Sequence, residues 1–270
     1  MKSITLSALR SVLYEIAING WGILIRTHND FSLWRLIEYP KMTEYLELQP
    51  GRRVLDIGAG TSSYPLMLTR EGVDVVVVEL DADRARWQQA KADESPLGSG
   101  KLYSIVADAA RLPLRDETFE RVTAISAIEH MEDDDLVGAE IGRVLARGGL
   151  AAISVPYTRS GRRSFFEGLK PFKLRKPNEF VQEGKGMIFR FYTDADVEQR
   201  FGGNGALRIT KRSFFGRTIL NGWYHETRRN RYWRSFILKD WLLAVLVHPF
   251  EERFLQQQEP FDIMFQLERP

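Results

Sequence analysis

The 270-residue chain predicts an α/β fold, a mostly parallel seven-stranded sheet with helices on both faces. Three observations carry that expectation. Short apolar runs recur with helix-length spacers between them, a glycine turn follows the first run, and an acidic residue closes the second.

The first run, Val54-Leu55, leads through Asp56-Ile57 into Gly58-Ala59-Gly60-Thr61-Ser62. Gly58 and Gly60 permit a tight turn and let the backbone approach a ligand with no side chain between. Thr61 to Arg70 reads as a helix, capped by Thr61, Ser62 or Ser63 and closed by Gly72. The second run, Val73 to Val78, ends at Glu79, 19 residues beyond Gly60. An acid at about that separation reaches a ribose hydroxyl in a βαβ unit. Leu102 to Ala107 is the third strand, ending at Asp108, and Phe119 to Ile125 the fourth, ending at Ser126. Gly148 to Val155 is the fifth, Leu207 to Phe215 the sixth and Phe261 to Leu267 the last.

A dinucleotide oxidoreductase fits poorly. Its fingerprint wants glycine or alanine three residues after Gly60, where this chain has Ser63, and places no carboxylate where Asp56 stands.

Five segments in order, VLDIGAGTS, VVVVELD, VADAARLPL, FERVTAISAIEHMED and RVLARGGLAAISVP, resemble the class I S-adenosylmethionine-dependent methyltransferases, specifically their small-molecule, type 11-like branch. The resemblance covers Gln49 to about Pro156 and resumes weakly from Arg190-Phe191-Tyr192-Thr193 through Phe215. It implies a Rossmann-like sheet with an antiparallel last strand, and S-adenosylmethionine as cofactor. By the same resemblance, Asp56, Gly58, Ala59 and Gly60 line the methionine end of the cofactor and Glu79 holds the ribose hydroxyls. Leu80 and Asp81 flank the adenine, Asp108 and Ala109 read its edge, and Ser126 faces the sulfonium. Ser62 stands where many relatives carry a third alternate glycine, a departure that a helix start accommodates. Taken singly, Asp56 and Asp108 also suit helix caps, and Asp81 a solvated helix-start carboxylate.

The chain has no cysteine, which excludes disulfides, thiolate zinc sites, a nucleophilic cysteine and a cysteine-held radical cluster. No metal site is expected. No stretch of 18 uncharged apolar residues occurs, so no spanning helix is expected. Val12 to Ile25 is apolar but interrupted by Glu15 and Asn19, without a small-residue cleavage site, and reads as an amphipathic helix. The expected location is cytoplasmic, with peripheral membrane contact through 217–260 as a further option.

Charge divides the chain. Residues 1–150 carry 17 basic and 23 acidic side chains, residues 151–270 carry 21 and 13. One basic excursion holds Arg159, Arg162, Arg163, Lys170, Lys173, Arg175 and Lys176, with Glu167 the one acid among them. A second holds Arg217, Arg228, Arg229, Arg231, Arg234 and Lys239 beside Trp223, Tyr224, Tyr232, Trp233, Phe236 and Trp241. A single domain over 1–270 is therefore expected: a helical cover at 1–48, a cofactor core at 49–156, cap insertions at 157–192 and 217–260, and remaining sheet elements at 193–216 and 261–270. Segments leaving strands five and six overhang the carboxyl edge of the sheet, where ligands bind. Arg159, Arg162, Arg163, Arg228, Arg229 and Arg231 are accordingly candidates to hold an anionic acceptor, while the second cluster also reads as a helical hairpin whose apolar face packs on the core. Arg35 and Tyr39, in the helical cover, are candidates for the cofactor carboxylate or for packing.

Ser126-Ala127-Ile128-Glu129 lacks the Asn/Asp/Ser-Pro-Pro-aromatic pattern of enzymes that methylate exocyclic base amines, which argues against that target. Methyl transfer to oxygen also needs a proton removed, and His130, just past the fourth strand, is the best placed of the four histidines. Its alternative role is to hold the loop or the cofactor, and Glu129 is the second catalytic candidate. Glu132 to Asp135 reads as an acidic helix start. The expected activity is methyl transfer to an oxygen, less readily carbon, of an anionic small-molecule, lipid-linked or sugar-linked acceptor. An RNA ribose methyltransferase is the alternative, because a basic aromatic surface also suits a single strand. A non-catalytic cofactor-binding or membrane-peripheral scaffold is the third. Oligomeric state is left open.

Overall fold

The computed structural model describes residues 33–94, 98–159, 172–202, 205–215 and 262–270, with Leu13 and Pro260 besides. Helix α1 (Leu33–Tyr45) precedes a βα series: β1 (Arg53–Ile57), α2 (Tyr64–Arg70), β2 (Asp74–Glu79), α3 (Ala82–Glu94), β3 (Leu102–Val106), β4 (Phe119–Ile125), α4 (Asp134–Val144) and β5 (Leu145–Pro156). Three short strands follow, β6 (Phe172–Lys176), β7 (Glu179–Gln182) and β8 (Ile188–Arg190). Then come α5 (Asp194–Val197), β9 (Arg208–Phe215) and β10 (Asp262–Glu268).

Seven strands form one sheet in the order β3-β2-β1-β4-β5-β10-β9. β1 to β5 pair in parallel, and β10 inserts antiparallel between β5 and β9. The predicted α/β class and antiparallel last strand are therefore observed. β6-β7-β8 make a separate antiparallel sheet within the segment predicted as the first cap. The second predicted cap, 217–260, lies outside the described residues except for Pro260.

Alternation along the strands builds two cores. Val54, Val75, Val77, Ala152 and Met264 face one side, where Leu36, Tyr39, Met42 and Leu46 cover them together with Tyr64, Met67 and Leu68. Leu55, Ile57, Val78, Ile153, Val155 and Phe265 face the other, against Ile141, Val144, Tyr192 and Phe201. Each fully buried Val, Leu, Ile, Phe or Met side chain among them contributes roughly 1.5–3 kcal/mol. α1 packs on β5 and β10, so residues 33–45 of the predicted helical cover form a layer on the sheet. Tyr45 hydroxyl pairs with Ser213 Oγ at 2.6 Å, and Arg121 Nε donates to the Leu46 carbonyl at 2.5 Å.

Several boundaries differ from the sequence reading. α2 starts at Tyr64 rather than Thr61, because Ser62 N–H closes a turn onto the Ala59 carbonyl and Pro65 favours a helix start. The strand predicted from Gly148 begins at Leu145, and the Gly148-Gly149 pair sits inside it at a register shift opposite β4.

Candidate active site

The carboxyl ends of β1, β2 and β4 open onto a cavity of about 770 Å³, a volume within the range of small-molecule and cofactor sites. Gly58, Ala59 and Gly60 line it together with Glu79 and Leu80, Asp108 and Ala109, and Ser126 and His130. Nine predicted site residues thus meet at one place, from five stretches of chain.

Gly58 and Gly60 both adopt positive φ, +70° and +57°. A Cβ at Gly58 would stand 2.7 Å from Ala127 Cβ, whereas one at Gly60 meets nothing within 4 Å. The turn is therefore packed beneath at Gly58 and open at Gly60. Gly60 N–H donates to Glu79 Oε1, joining the turn to the acid at the end of β2. Burial raises the Glu79 carboxyl above its usual range, opposed by that bond and by Arg84. From α3, fully buried Gln88 donates through Nε2 to the Gly60 and Ser62 carbonyls at 3.1 and 2.8 Å. Gln88 is absent from the sequence reading; its one signal is the Ala85/Gln88 spacing, which puts both on the buried side of a polar helix.

Ser62 makes the departure from the three-glycine pattern intelligible. Its Oγ pairs with Tyr39 hydroxyl at 2.8 Å and accepts from Tyr64 N–H at 3.2 Å, so it ties α1 to the turn and serves the start of α2. Ser63 makes no side-chain cap.

Beneath Ser126 lies a buried polar cluster. Glu38 accepts from Arg35 Nη1 at 2.6 Å, Ser126 Oγ at 2.9 Å and Ser154 Oγ at 2.7 Å. Arg35 also donates to Ser126 Oγ at 3.2 Å and lines the cavity. Burial pulls the Arg35 guanidinium down, but Glu38 and its other neighbours outweigh this and hold it firmly charged. Ser126 itself has φ +47°, uncommon for a non-glycine residue, and the cluster is what holds it there.

Asp56, Asp81 and Glu129 do not line the cavity. Asp56 lies beneath the turn at 2% exposure, on the α1 face of β1, because strand alternation carries it there. Its carboxyl is pushed up to about 8 by burial and by Glu79, against Arg35. Asp81 is exposed and caps α3, accepting from Asp83 N–H at 2.8 Å and Arg84 N–H at 3.3 Å. Glu129 is buried, its Oε2 has no hydrogen-bond partner among the described residues, and burial raises its carboxyl. Asp108 lines the cavity and also caps the turn Ala109–Arg111, accepting from Ala110 N–H at 2.9 Å.

His130 faces the cavity from the 3-10 turn Ile128–His130. Its Nδ1 lies 2.6 Å from the Ile188 carbonyl, and its ring stands edge-on to Phe189. Met187 and Ile188, which the motifs did not single out, also line the cavity at the start of β8. Arg159 is exposed outside the cavity with its guanidinium 5.1 Å above the Phe214 ring. Arg162, Arg163, Arg228, Arg229 and Arg231 lie outside the described residues. No described helix is long and apolar enough to cross a membrane.

A parallel sheet with this strand order, a glycine turn after β1 and an acid after β2 defines a class I methyltransferase fold. Residues 55–153 match a family model described as a methyltransferase domain. The chain is 32% identical over 120 residues to methyltransferase GfsG of Streptomyces halstedii, covering 42% of this chain and 41% of that one. It is 32% identical over 145 residues to malonyl-(acyl-carrier protein) O-methyltransferase of Geobacter sulfurreducens, covering 54% and 52%. The matches span about half the length of these curated relatives. Among solved structures, the PH0226 protein of Pyrococcus horikoshii aligns with TM-score 0.60 at 15% identity, over 94% of this chain and 98% of that one. A geranyl diphosphate methyltransferase in complex with its diphosphate and sinefungin aligns with TM-score 0.60 at 16% identity, over 86% and 77%. Residues 55–153 thus match a methyltransferase domain, on the fold of the class I S-adenosylmethionine-dependent methyltransferases.

The residues present fit that family's cofactor. The turn is open at Gly60, a carboxylate stands at the end of β2, and Leu80 and Ala109 offer apolar surface beside Asp108.

Proposed function

We propose that this domain transfers a methyl group from S-adenosylmethionine to an oxygen, less readily a carbon, of an anionic and partly apolar acceptor, either a small molecule or one linked to a lipid or sugar. The bound cofactor supplies an electrophilic methyl on a sulfonium, whose sulfur keeps the electron pair of the broken bond. The protein's part is to hold the two reactants in line in a dry cavity and to take a proton from the acceptor hydroxyl. In this reading Gly58 to Gly60 admit the methionine portion, Glu79 takes the ribose hydroxyls, and Asp108 and Ala109 meet the adenine.

The observation that carries the reading is that His130 and the glycine turn line one cavity. Arg35 and Arg84 line the same cavity and supply positive charge for a carboxylate or phosphate, while Met187, Ile188 and Met131 supply apolar surface. The relatives agree in kind: one is named for a malonyl-carrier acceptor and a structural neighbour for geranyl diphosphate. Both O-methyltransferases and a C-methyltransferase occur among the relatives.

Incubating the protein with methyl-labelled cofactor and cell extract fractionated into lipids, glycans, nucleic acids and small metabolites tests this. Label is expected in an anionic small-molecule, lipid or glycan fraction and is expected to vanish with Glu79→Ala. Label confined to RNA would replace this reading with the ribose methyltransferase, and label in no fraction would favour a scaffold.

A further inference from the structure

A line of contacts runs from the small sheet to His130. Glu179 of β7 and Arg190 of β8 are cross-strand partners, each nearly sealed from solvent. Arg190 Nε and Nη2 donate to Glu179 Oε2 at 3.0 and 2.8 Å. Arg190 Nη1 donates to the Met131 carbonyl at 3.0 Å and lies 3.0 Å from Asp134 Oδ2. Its Nη2 reaches the Glu132 carbonyl at 3.4 Å. Met131 and Glu132 directly follow His130, and Asp134 opens α4, where Tyr192 hydroxyl donates to it at 2.8 Å. Arg190 therefore joins the small sheet to the segment that carries the histidine, as Arg175 of β6 also does through the Glu132 carboxylate at 2.9 Å.

The same strand supplies the Ile188 carbonyl that meets His130 Nδ1. A carbonyl only accepts, so this bond requires the proton on Nδ1 and leaves the lone pair of the neutral ring on Nε2. Nε2 stands 3.8 Å from Glu129 Oε1, beyond hydrogen-bond reach. A buried ion pair is not in itself strong evidence of net stability. What the planar guanidinium adds is direction: its fixed fork engages two carboxylates and two carbonyls at once, and Lys has no equivalent geometry.

We propose that Arg190 and Glu179 are positioning residues for His130. By clamping β8 to the segment 131–134 they keep the Ile188 carbonyl on Nδ1, and so dictate which ring nitrogen is free to accept the acceptor's proton. The role in catalysis rests on the reading of His130 as the general base; the effect on the ring does not.

Long-range proton–nitrogen NMR of the 15N-labelled full chain at pH 8 tests this without any acceptor. The His130 resonances are assigned by their loss in His130→Gln. In the wild type the spectrum is expected to show a protonated Nδ1 and a lone-pair Nε2; a protonated Nε2 would overturn the proposal. Arg190→Gln is expected to move the ring to an averaged pattern of both tautomers, and Glu179→Gln, which keeps the size and an accepting oxygen, to move it part of the way. An unchanged Nδ1–H tautomer in either variant with native circular dichroism overturns the clamp. If Arg190→Gln does not fold, Glu179→Gln decides. Label transfer separates the two ideas: full transfer by His130→Gln ends the general-base reading while leaving the tautomer result intact.

Discussion

Glu79 Oε1 accepts a hydrogen bond from Gly60 N–H, so the acid at the end of β2 and the turn after β1 form a single polar edge of the cavity. A carboxylate placed this way offers its other oxygen to a ligand hydroxyl. Glu79→Gln keeps an acceptor for Gly60 but loses the charge. Hydrogen bonds to charged groups are worth about 1.5–3 kcal/mol, so S-adenosylhomocysteine should bind roughly 10- to 150-fold more weakly by calorimetry. Unchanged affinity would remove Glu79 from the cofactor site.

The two glycines of the turn should respond differently to alanine. At Gly58 the new Cβ meets Ala127 at 2.7 Å, so overpacking adds about 1–3 kcal/mol to the cost of positive φ. At Gly60 the new methyl has open space, and about 1 kcal/mol of backbone strain is the whole cost. Urea unfolding should therefore show the larger loss for Gly58→Ala, while calorimetry should show that Gly60→Ala still weakens cofactor binding. Equal stability losses would contradict the packing described beneath Gly58.

Asp56 makes stability depend on pH in an unusual direction. Its folded value of about 8 lies above the ordinary 3.8, so between these the native state holds a proton that the unfolded chain has released. Stability contributed by this group is thus intact below about pH 4 and falls as pH rises toward 8, by up to about 1.4 kcal/mol per unit. Asp56→Asn mimics the protonated form. Denaturation at pH 5, 6.5 and 8 should give a flatter profile for the variant than for the wild type; parallel profiles would refute the shift.

Glu38 joins Arg35, Ser126 and Ser154, and Glu38→Ala leaves a largely buried guanidinium without its carboxylate. Breaking a buried pair from one side costs about 3–5 kcal/mol, and the urea midpoint should fall accordingly. A loss below about 1 kcal/mol would mean that solvent reaches the cluster.

Removing the proposed base should affect transfer and not cofactor affinity. His130→Gln is expected to lower kcat roughly 100-fold or more with S-adenosylhomocysteine affinity within about twofold of wild type. A parallel fall in cofactor affinity would assign the ring to cofactor binding.

Much of the fold was legible because its signals are local. The Val73 to Val78 run is strand-like by β-branching, the glycine turn by its backbone demands, and the spacing to Glu79 by the length of one helix and one strand. Asp81 shows the limit: a carboxylate at a helix start looks the same in sequence whether it caps the helix or touches a ligand, and here it caps. Asp56 shows another, since strand periodicity says that neighbours face opposite sides but not which side holds the cavity.

Sequence alone determined the βα order, the glycine turn with its acid, and the resemblance to a methyltransferase domain, all properties of short segments read along the chain. Tertiary structure decided what depends on segments far apart. Glu38 meets Ser154 across 116 positions, and Ile188 sets the ring of His130 across 58. A buried carboxyl or a histidine ring acquires its protonation from neighbours that only chain folding brings within hydrogen-bond distance. Spacing along the chain identifies which residues can act, and the packed environment decides in which charge state and with which atom they do so.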